Sequence, residues 1–275
     1  MRPSGIETIE IDLLLEAIYR RYGYDFRSYA RASIERRIRQ CLSGSGSSTI
    51  SDMISRVLYD EDFLSRLVQY FSISVTELFR DPFVYRILRE EVIPLLRTWP
   101  HVKIWCAGCA TGEEVYSLAI VLKEEGVFDK SIIYATDFND ASLDQAKQGV
   151  YPLDEIREAT RKYQEAGGRS SFSRYYHARY GAAAMDKSLK SRITFANHNL
   201  VTDHVFGEMQ LVFCRNVLIY FNRDLKNRVL QLFTESLVHG GLLCLGTKED
   251  LRFSAVSGLY ETMNTKAKIY RKIYA

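Results

Sequence analysis

No apolar run in this chain approaches the roughly 20 residues that a bilayer-spanning helix needs. Its first residues, MRPSGIETIEIDLLLEAIYRR, lack a basic start followed by an apolar core, so they do not read as a signal peptide. Cysteine is scarce and odd in number: Cys41, Cys106, Cys109, Cys214 and Cys244. Four of these sit in apolar or turn contexts, which points to the reducing cytosol and a cytoplasmic protein. One CxxC occurs, Cys106-Ala-Gly-Cys109, with no second CxxC and no clustered histidine beside it. That argues against zinc or redox chemistry, and no metal is expected; two small residues that let the backbone approach a ligand are the simpler reading. There is no GxGxxG turn, no His–Asp or Cys–His arrangement near the candidate site, and no tetratricopeptide repeat. Lysine does not occur before Lys103.

What is present is ordinary in bulk. The 275 residues are 47% hydrophobic and 26% charged, enough for one large or two modest domains with real cores. A net charge of +3 argues neither for nor against nucleic acid. Residues 6–70 read as helical: Ile11, Leu14, Leu15, Ile18 and Tyr19 recur at helical spacing, and Phe63, Leu64, Leu67, Val68 and Phe71 continue the pattern. The segment 43–49, SGSGSST, reads as a flexible break, with Ser51-Asp52 opening the next helix. Basic charge concentrates at Arg20, Arg21, Arg27, Arg31, Arg36, Arg37 and Arg39. It forms either a solvated helix face or a docking surface for an acidic partner, whose carboxylates arginine pairs two bonds at a time.

From residue 100 the pattern changes to alternating strands and helices. Strands are expected at Val102–Cys106, Ser131–Thr136, Arg192–Ala196, Gln210–Cys214 and Gly241–Gly246, with another over Lys266–Tyr274. Helices are expected at Glu113–Glu125, Ala141–Gln148 and Arg223–Val238. This alternation predicts a mainly parallel sheet covered on both faces, with a hairpin-like insertion before residue 192. Ligands in such sheets sit beyond the carboxyl ends of the strands. The first strand runs into Cys106–Gly112 and then Glu113 and Glu114. Two acids spoil a phosphate cradle and favour a ligand with hydroxyls, an amine or positive charge. Asp137 ends the second strand, where it is placed to accept from ribose hydroxyls. The third end is Asn197-His198-Asn199-Leu200, with His198 structural or peripheral, and the fourth is Arg215-Asn216. Arg215 either touches the ligand or pairs with Glu113 or Glu114 to brace the loops.

Six blocks then fall in order: VTELFRDP (75–82), WCAGCATGEEVYSLA (105–119), ATDFNDASLDQAKQGVY (135–151), NHNL (197–200), FCRNVLIYF (213–221) and LLCLGTKEDL (242–251). Together they resemble the chemotaxis receptor methyltransferases, the CheR family, over nearly the whole chain. The resemblance implies a class I S-adenosylmethionine-dependent methyltransferase fold, Rossmann-like with a mainly parallel sheet. It implies an all-helical N-terminal domain at 1–73, a linker and cofactor-contacting helix at 74–99, and a methyltransferase domain at 100–275. An inserted antiparallel β-subdomain is implied at about 172–196. The implied activity is methylation of glutamate side chains on cytoplasmic chemoreceptor helices by a monomer, without nucleic acid or membrane insertion. By motif, the cofactor residues are Thr76, Arg80, Glu114 with its neighbour Glu113, Asp137, Asn199, Leu200, Arg215 and Asn216. Arg80 and Tyr220 resemble the residues nearest the methyl group. The face of Arg31, Arg36, Arg37 and Arg39 becomes the candidate receptor-docking surface. The chain departs from the family pattern at Val115, where proline is usual, at Lys248, where serine is usual, and at Leu78, where phenylalanine is common. Those departures motivate an alternative, a cofactor-binding sensor or adaptor of the same fold.

Overall fold

The computed structural model describes residues 5–71 and 76–273, and these divide into two compact units. The first holds four helices: α1 (Gly5–Tyr22), α2 (Arg31–Ser45), α3 (Ile50–Tyr59) and α4 (Glu61–Phe71). Their apolar residues return every three or four positions, so each helix has one face to bury. Ile11, Leu14 and Ile18 of α1, Ile34 and Ile38 of α2, Met53 and Val57 of α3, and Phe63, Leu67 and Phe71 of α4 form that core. The expected break at 43–49 is shorter than the sequence suggests, because α2 continues to Ser45 and ends on left-handed Gly46. The next helix opens at Thr49, whose hydroxyl accepts from the Asp52 N–H at 3.2 Å. The Asp52 carboxylate accepts from the Thr49 N–H at 2.8 Å in return, completing a reciprocal cap. Leu218–Arg228 groups with these helices rather than with the rest of 100–275. There the Ala30 N–H donates to the Tyr220 carbonyl at 2.7 Å, and the Tyr29 and Phe221 rings meet edge-on at 5.2 Å.

The second unit begins with the helical turns α5 (Pro82–Ile87) and α6 (Ile93–Leu96), joined by a π-helical turn over Leu88–Val92. Strands β1 (Val102–Ala107), β2 (Ser131–Asp137), β6 (Ile193–Asn197), β7 (Met209–Cys214), β8 (Leu237–Leu245), β9 (Tyr260–Asn264) and β10 (Ile269–Lys272) form one sheet. Its order is β6-β2-β1-β7-β8-β10-β9. The first five strands pair in parallel, and β10 joins antiparallel to both β8 and β9. β1 is buried at every position except Lys103, as a central strand covered on both faces must be. The helices α7 (Glu113–Glu124), α8 (Asp140–Gln148), α9 (Leu153–Glu165), α10 (Lys187–Lys190) and α11 (Arg223–Ser236) complete the chain. The final strand falls inside the expected 266–274, of which Tyr274 lies outside the described residues; so does the expected boundary at 73–74.

Within the expected linker and helix at 74–99, residues 82–96 are helical, and Val84, Tyr85, Leu88, Val92, Ile93 and Leu96 are buried in the same core as Ile104, Leu118 and Tyr163. The antiparallel subdomain has different bounds from the expected 172–196. Its three strands are β3 (Val150–Pro152), β5 (Ala182–Met185) and β4 (Tyr176–Arg179), with β5 in the middle. Residues 193–197 instead pair in parallel with β2, because Ile193 and Phe195 pack against the core of the main sheet.

A buried ion cluster ties α7 to the π-helical turn. The Arg89 guanidinium bonds Glu125 at 2.9 Å and Glu124 at 2.5 Å, and its Nε donates to the Ala166 carbonyl at 3.1 Å. Both carboxylates are nearly fully buried, and Glu124 also accepts from the hydroxyls of Tyr163 and Tyr175. Without Arg89, Glu125 keeps Arg97 and Arg169, but the buried Glu124 carboxylate is left with neutral donors only. Arg89→Met is therefore expected to lower stability by about 3–5 kcal/mol, read as a shift of the urea midpoint at constant slope.

Candidate active site

The turn after β1 uses its own backbone donors. The N–H groups of Gly108 and Cys109 both donate to the Thr136 carbonyl, at 2.8 and 2.9 Å. The Ala110 N–H donates to Asp137 Oδ2 at 2.9 Å, and the Gly112 N–H to the Cys109 carbonyl at 3.0 Å. A phosphate-binding loop would leave such groups pointing at the ligand. Gly112 has φ of 94°, and a Cβ there would meet Ala146 Cβ at 2.9 Å, so only glycine passes between β1 and α7 at this point. Cys106 and Cys109 are buried, and burial pushes both thiols well up, which is the opposite of a reactive pair.

The two acids at the start of α7 have different fates. Successive helical residues point about 100° apart, so only one can face the strand ends. Glu113 is buried against Thr111, whose hydroxyl lies 2.7 and 2.9 Å from its two carboxylate oxygens. Burial raises Glu113 to about 7, the Thr111 hydrogen bond opposing the shift. Glu114 takes the other direction and pairs with Nη1 of Arg215. Burial raises its carboxyl and Arg215 opposes the rise. The Arg215 side chain is completely buried; Nη2 bonds Asp81 Oδ2 at 2.6 Å and Nη1 also reaches the Arg80 carbonyl at 3.1 Å. Arg215 thus braces the loops through Glu114 and Asp81, and not through Glu113.

Asp137 sits at the end of β2 as expected. It accepts from the N–H groups of Ala110 and Asn139, at 2.9 and 3.0 Å, and burial raises its carboxyl against these bonds. The Phe138 N–H is a third backbone donor to it, so of the roughly four acceptor positions of an ionised carboxylate about one remains for a ligand hydroxyl. Asn199 closes a local turn, accepting from the Val201 N–H at 2.9 Å, with Leu200 buried beside it. Thr76 and Arg80 are half-buried in the segment leading into α5, and the Arg80 charge acts on Glu114. Asn216 has a left-handed backbone with φ of 60°. Its Oδ1, like Arg215 Nε, is buried without a hydrogen-bond partner among the described residues. His198 packs edge-on against Trp105 at 5.1 Å, and its Nε2 lies 3.1 Å from the His204 carbonyl. Arg80, Glu114, Asp137, Asn199, Leu200, Arg215 and Asn216 all belong to the second unit, whereas Tyr220 belongs to the first.

The arginine face of α2 is more self-contained than its sequence suggests. Arg31 and Arg39 share Glu35, at 2.7 and 3.3 Å, and reach Asp12 and Glu7 of α1 respectively. Arg37 is half-buried, donates to the Tyr70 carbonyl at 2.7 Å and lies 5.7 Å from the Tyr220 ring centre. Arg36 stays exposed. Two site residues escaped the sequence reading as such. Asp81 belongs to the segment VTELFRDP, in which its own side chain carries no sequence signal. Glu249 lies in another, and its carboxylate accepts from the N–H groups of Asn216 and Gly246.

A parallel sheet with one antiparallel strand inserted by its last hairpin, and acids and amides at its strand ends, defines a class I S-adenosylmethionine-dependent methyltransferase. The residues present fit that cofactor: its ribose and amine carry O–H and N–H groups, Asp137 and the unpaired Asn216 Oδ1 have acceptor capacity to match them, and it carries no phosphate. Residues 74–269 match the family described as CheR methyltransferase, SAM binding domain, and residues 9–72 match the CheR methyltransferase, all-alpha domain. The chain belongs to the CheR methyltransferase family. It is 55% identical over 264 residues to a Pseudomonas putida protein named "Putative methyltransferase Cher3", covering 96% of this chain and 97% of that one. It is 30% identical over 258 residues to a chemotaxis protein methyltransferase of Listeria innocua, covering 92% and 95%. A chemotaxis protein methyltransferase of Pseudomonas aeruginosa is 28% identical over 233 residues, covering 79% and 81%.

Glu113 generates a pH prediction. Its carboxyl rises from an ordinary 4.5 to about 7 on folding, so the unfolded chain releases the proton first. Stability from this group is complete below pH 4.5 and is lost as pH rises to about 7. Relative to Glu113→Gln, which stays neutral, the wild type should lose about 1.4 kcal/mol per pH unit across that window. Urea unfolding of both proteins at a series of pH values measures it.

Proposed function

We propose that this methyltransferase transfers methyl groups to glutamate side-chain carboxylates on the cytoplasmic helices of chemoreceptors, giving glutamyl methyl esters. The reading is carried by the presence in one chain of both CheR domains, the all-α one and the SAM-binding one. It is supported by relatives named chemotaxis protein methyltransferases that align over most of their length. The cofactor supplies an electrophilic methyl group on a sulfonium.

A glutamate near its reference pKa of about 4.3 is ionised at neutral pH, so the nucleophile needs no general base. The chain's task is to hold reactants and exclude water. A fixed near-attack geometry supplies roughly 7–11 kcal/mol at best. Thr76, Arg80, Glu114, Asp137, Asn199, Leu200, Arg215 and Asn216 are the residues assigned to hold the cofactor, with Glu113 supporting the turn through Thr111. The buried Arg215 guanidinium is already committed to Glu114 and Asp81, so it serves as a fixed brace. Arg80 is assigned to orient a carboxylate, and Tyr220 to donate to the substrate oxygen that does not attack. Neither contact should neutralise the nucleophile, since a carboxylate held too tightly attacks poorly. Among the docking residues, Arg31, Arg37 and Arg39 have internal partners, so Arg36 is the side chain best placed for an acidic receptor helix.

The test is transfer of labelled methyl from S-adenosylmethionine to receptor-containing membranes, with alkali-labile methanol release reporting a methyl ester. An adaptor that only binds the cofactor would give no release. Tyr220→Phe is expected to keep S-adenosylhomocysteine affinity and to slow transfer by about tenfold or more. Normal turnover would remove Tyr220 from the reaction. Arg36→Glu is expected to lower kcat/KM for receptor several-fold with cofactor affinity unchanged. Unaltered methylation would dismiss the α2 face as the docking surface.

A further inference from the structure

Four non-glycine residues around the strand ends hold left-handed backbone: Phe79, Asp81, Ala110 and Asn216, with φ of 54°, 54°, 46° and 60°. Left-handed backbone is strained at such residues and persists only where neighbours impose it. Each has an external clamp. The Phe79 N–H donates to Ser117 Oγ at 2.8 Å, Asp81 accepts from Arg215, and the Ala110 N–H donates to Asp137. For Asn216 the clamp is Glu249, whose Oε2 accepts from the Asn216 N–H at 3.0 Å and the Gly246 N–H at 2.6 Å.

Glu249 is buried, with 5% of its surface exposed. One carboxylate oxygen therefore joins the residue after β8 to the loop after β7, within the second unit. The junction admits no side chain at residue 246. A Cβ on Gly246 would meet the Asn216 nitrogen and Glu249 Oε2, each at 2.7 Å. Asn216 is also the residue whose buried Oδ1 lacks a partner among the described residues. Its presentation depends on a backbone conformation that its own side chain does not enforce.

We propose that Glu249 is a positioning residue of the cofactor site: it fixes Asn216 in the left-handed conformation that presents the unpaired Oδ1 to S-adenosylmethionine. This rests on the reading that Asn216 contacts the cofactor. Glu249 acts on the cofactor indirectly, through the Asn216 and Gly246 N–H groups.

Binding of S-adenosylhomocysteine is measured by calorimetry on the full chain carrying Glu249→Ala, Glu249→Asp, Glu249→Gln, Asn216→Ala or Thr234→Val. Glutamine keeps an oxygen at the same reach, whereas aspartate is shorter by one methylene. Alanine and aspartate are expected to weaken binding by about tenfold or more, and glutamine by less than about threefold. Thr234→Val removes a buried hydroxyl that meets the Tyr260 hydroxyl at 2.9 Å, so it controls for destabilisation alone and should bind like the wild type. If Glu249→Ala does not fold, the aspartate–glutamine comparison decides the question. The proposal is overturned if aspartate binds like the wild type, if glutamine loses as much as aspartate, or if Thr234→Val loses equally. Wild-type affinity in Asn216→Ala would overturn the placement of the cofactor at Asn216. Loss in Asn216→Ala with none in the Glu249 variants would overturn the positioning role alone.

Discussion

A fully buried guanidinium is tolerated only where carboxylates and hydrogen bonds replace its water, because the uncompensated charge costs several kcal/mol. Arg215 meets that condition through Glu114, Asp81 and the Arg80 carbonyl. These partners come from the start of α7 and from the turn before α5, while Arg215 itself follows β7. Three stretches of chain, far apart in sequence, are thereby held at one end of the sheet. Burial raises the Glu114 carboxyl, and Arg215 is the main force opposing it. The arrangement works as a unit, so its value lies in geometry more than in net stability, as is common for buried ion pairs.

That geometry explains why this crevice suits a ligand without phosphate. The helix N-terminus of α7 would attract an anion, but Glu113 and Glu114 already occupy its first turn, where the helix dipole stabilises carboxylates. The turn's N–H groups are turned inward to Thr136, Asp137 and Cys109. What remains toward a ligand is acceptor capacity on Asp137 and Asn216. The same bonds that exclude phosphate stabilise the left-handed residues of the turn, so specificity and local backbone shape have one cause.

The sheet was largely legible in the sequence because β1, β2 and β7 are short apolar runs closed by glycine, acid or arginine. Each expected boundary lies within a residue of the observed one for these strands. The edge strand β9 was not seen, since YETMN is mostly polar and half-exposed. β3 was missed because a three-residue strand pairing with β5 some thirty residues later has no local signal. Of the residues named by motif, Asp137, Asn199, Leu200, Arg215 and Asn216 lie at or just beyond the ends of β2, β6 and β7, whereas Thr76 and Arg80 precede α5 and Glu113 and Glu114 open α7. What local pattern lacked was the partnership: the choice of Glu114 over Glu113 depends on helical rotation, and Asp81 lies 134 residues from Arg215. Pairings at that separation are a property of the fold.

The arginine-rich helix shows the same limit from the other side. Counted along α2, four arginines face one glutamate. In space, Glu35, Glu7 and Asp12 all lie within ion-pair distance of Arg31 or Arg39. The local excess is then close to one positive charge, and its field fades beyond about 8 Å at physiological ionic strength. Long-range steering by this face is accordingly weak, and a partner that reads it must do so at contact. The pairs to Asp12 and Glu7 are partly exposed and of the kind worth about 0–1 kcal/mol each, so a partner's carboxylates can replace those two at little cost, whereas Glu35 is buried and holds Arg31 and Arg39 to the helix itself.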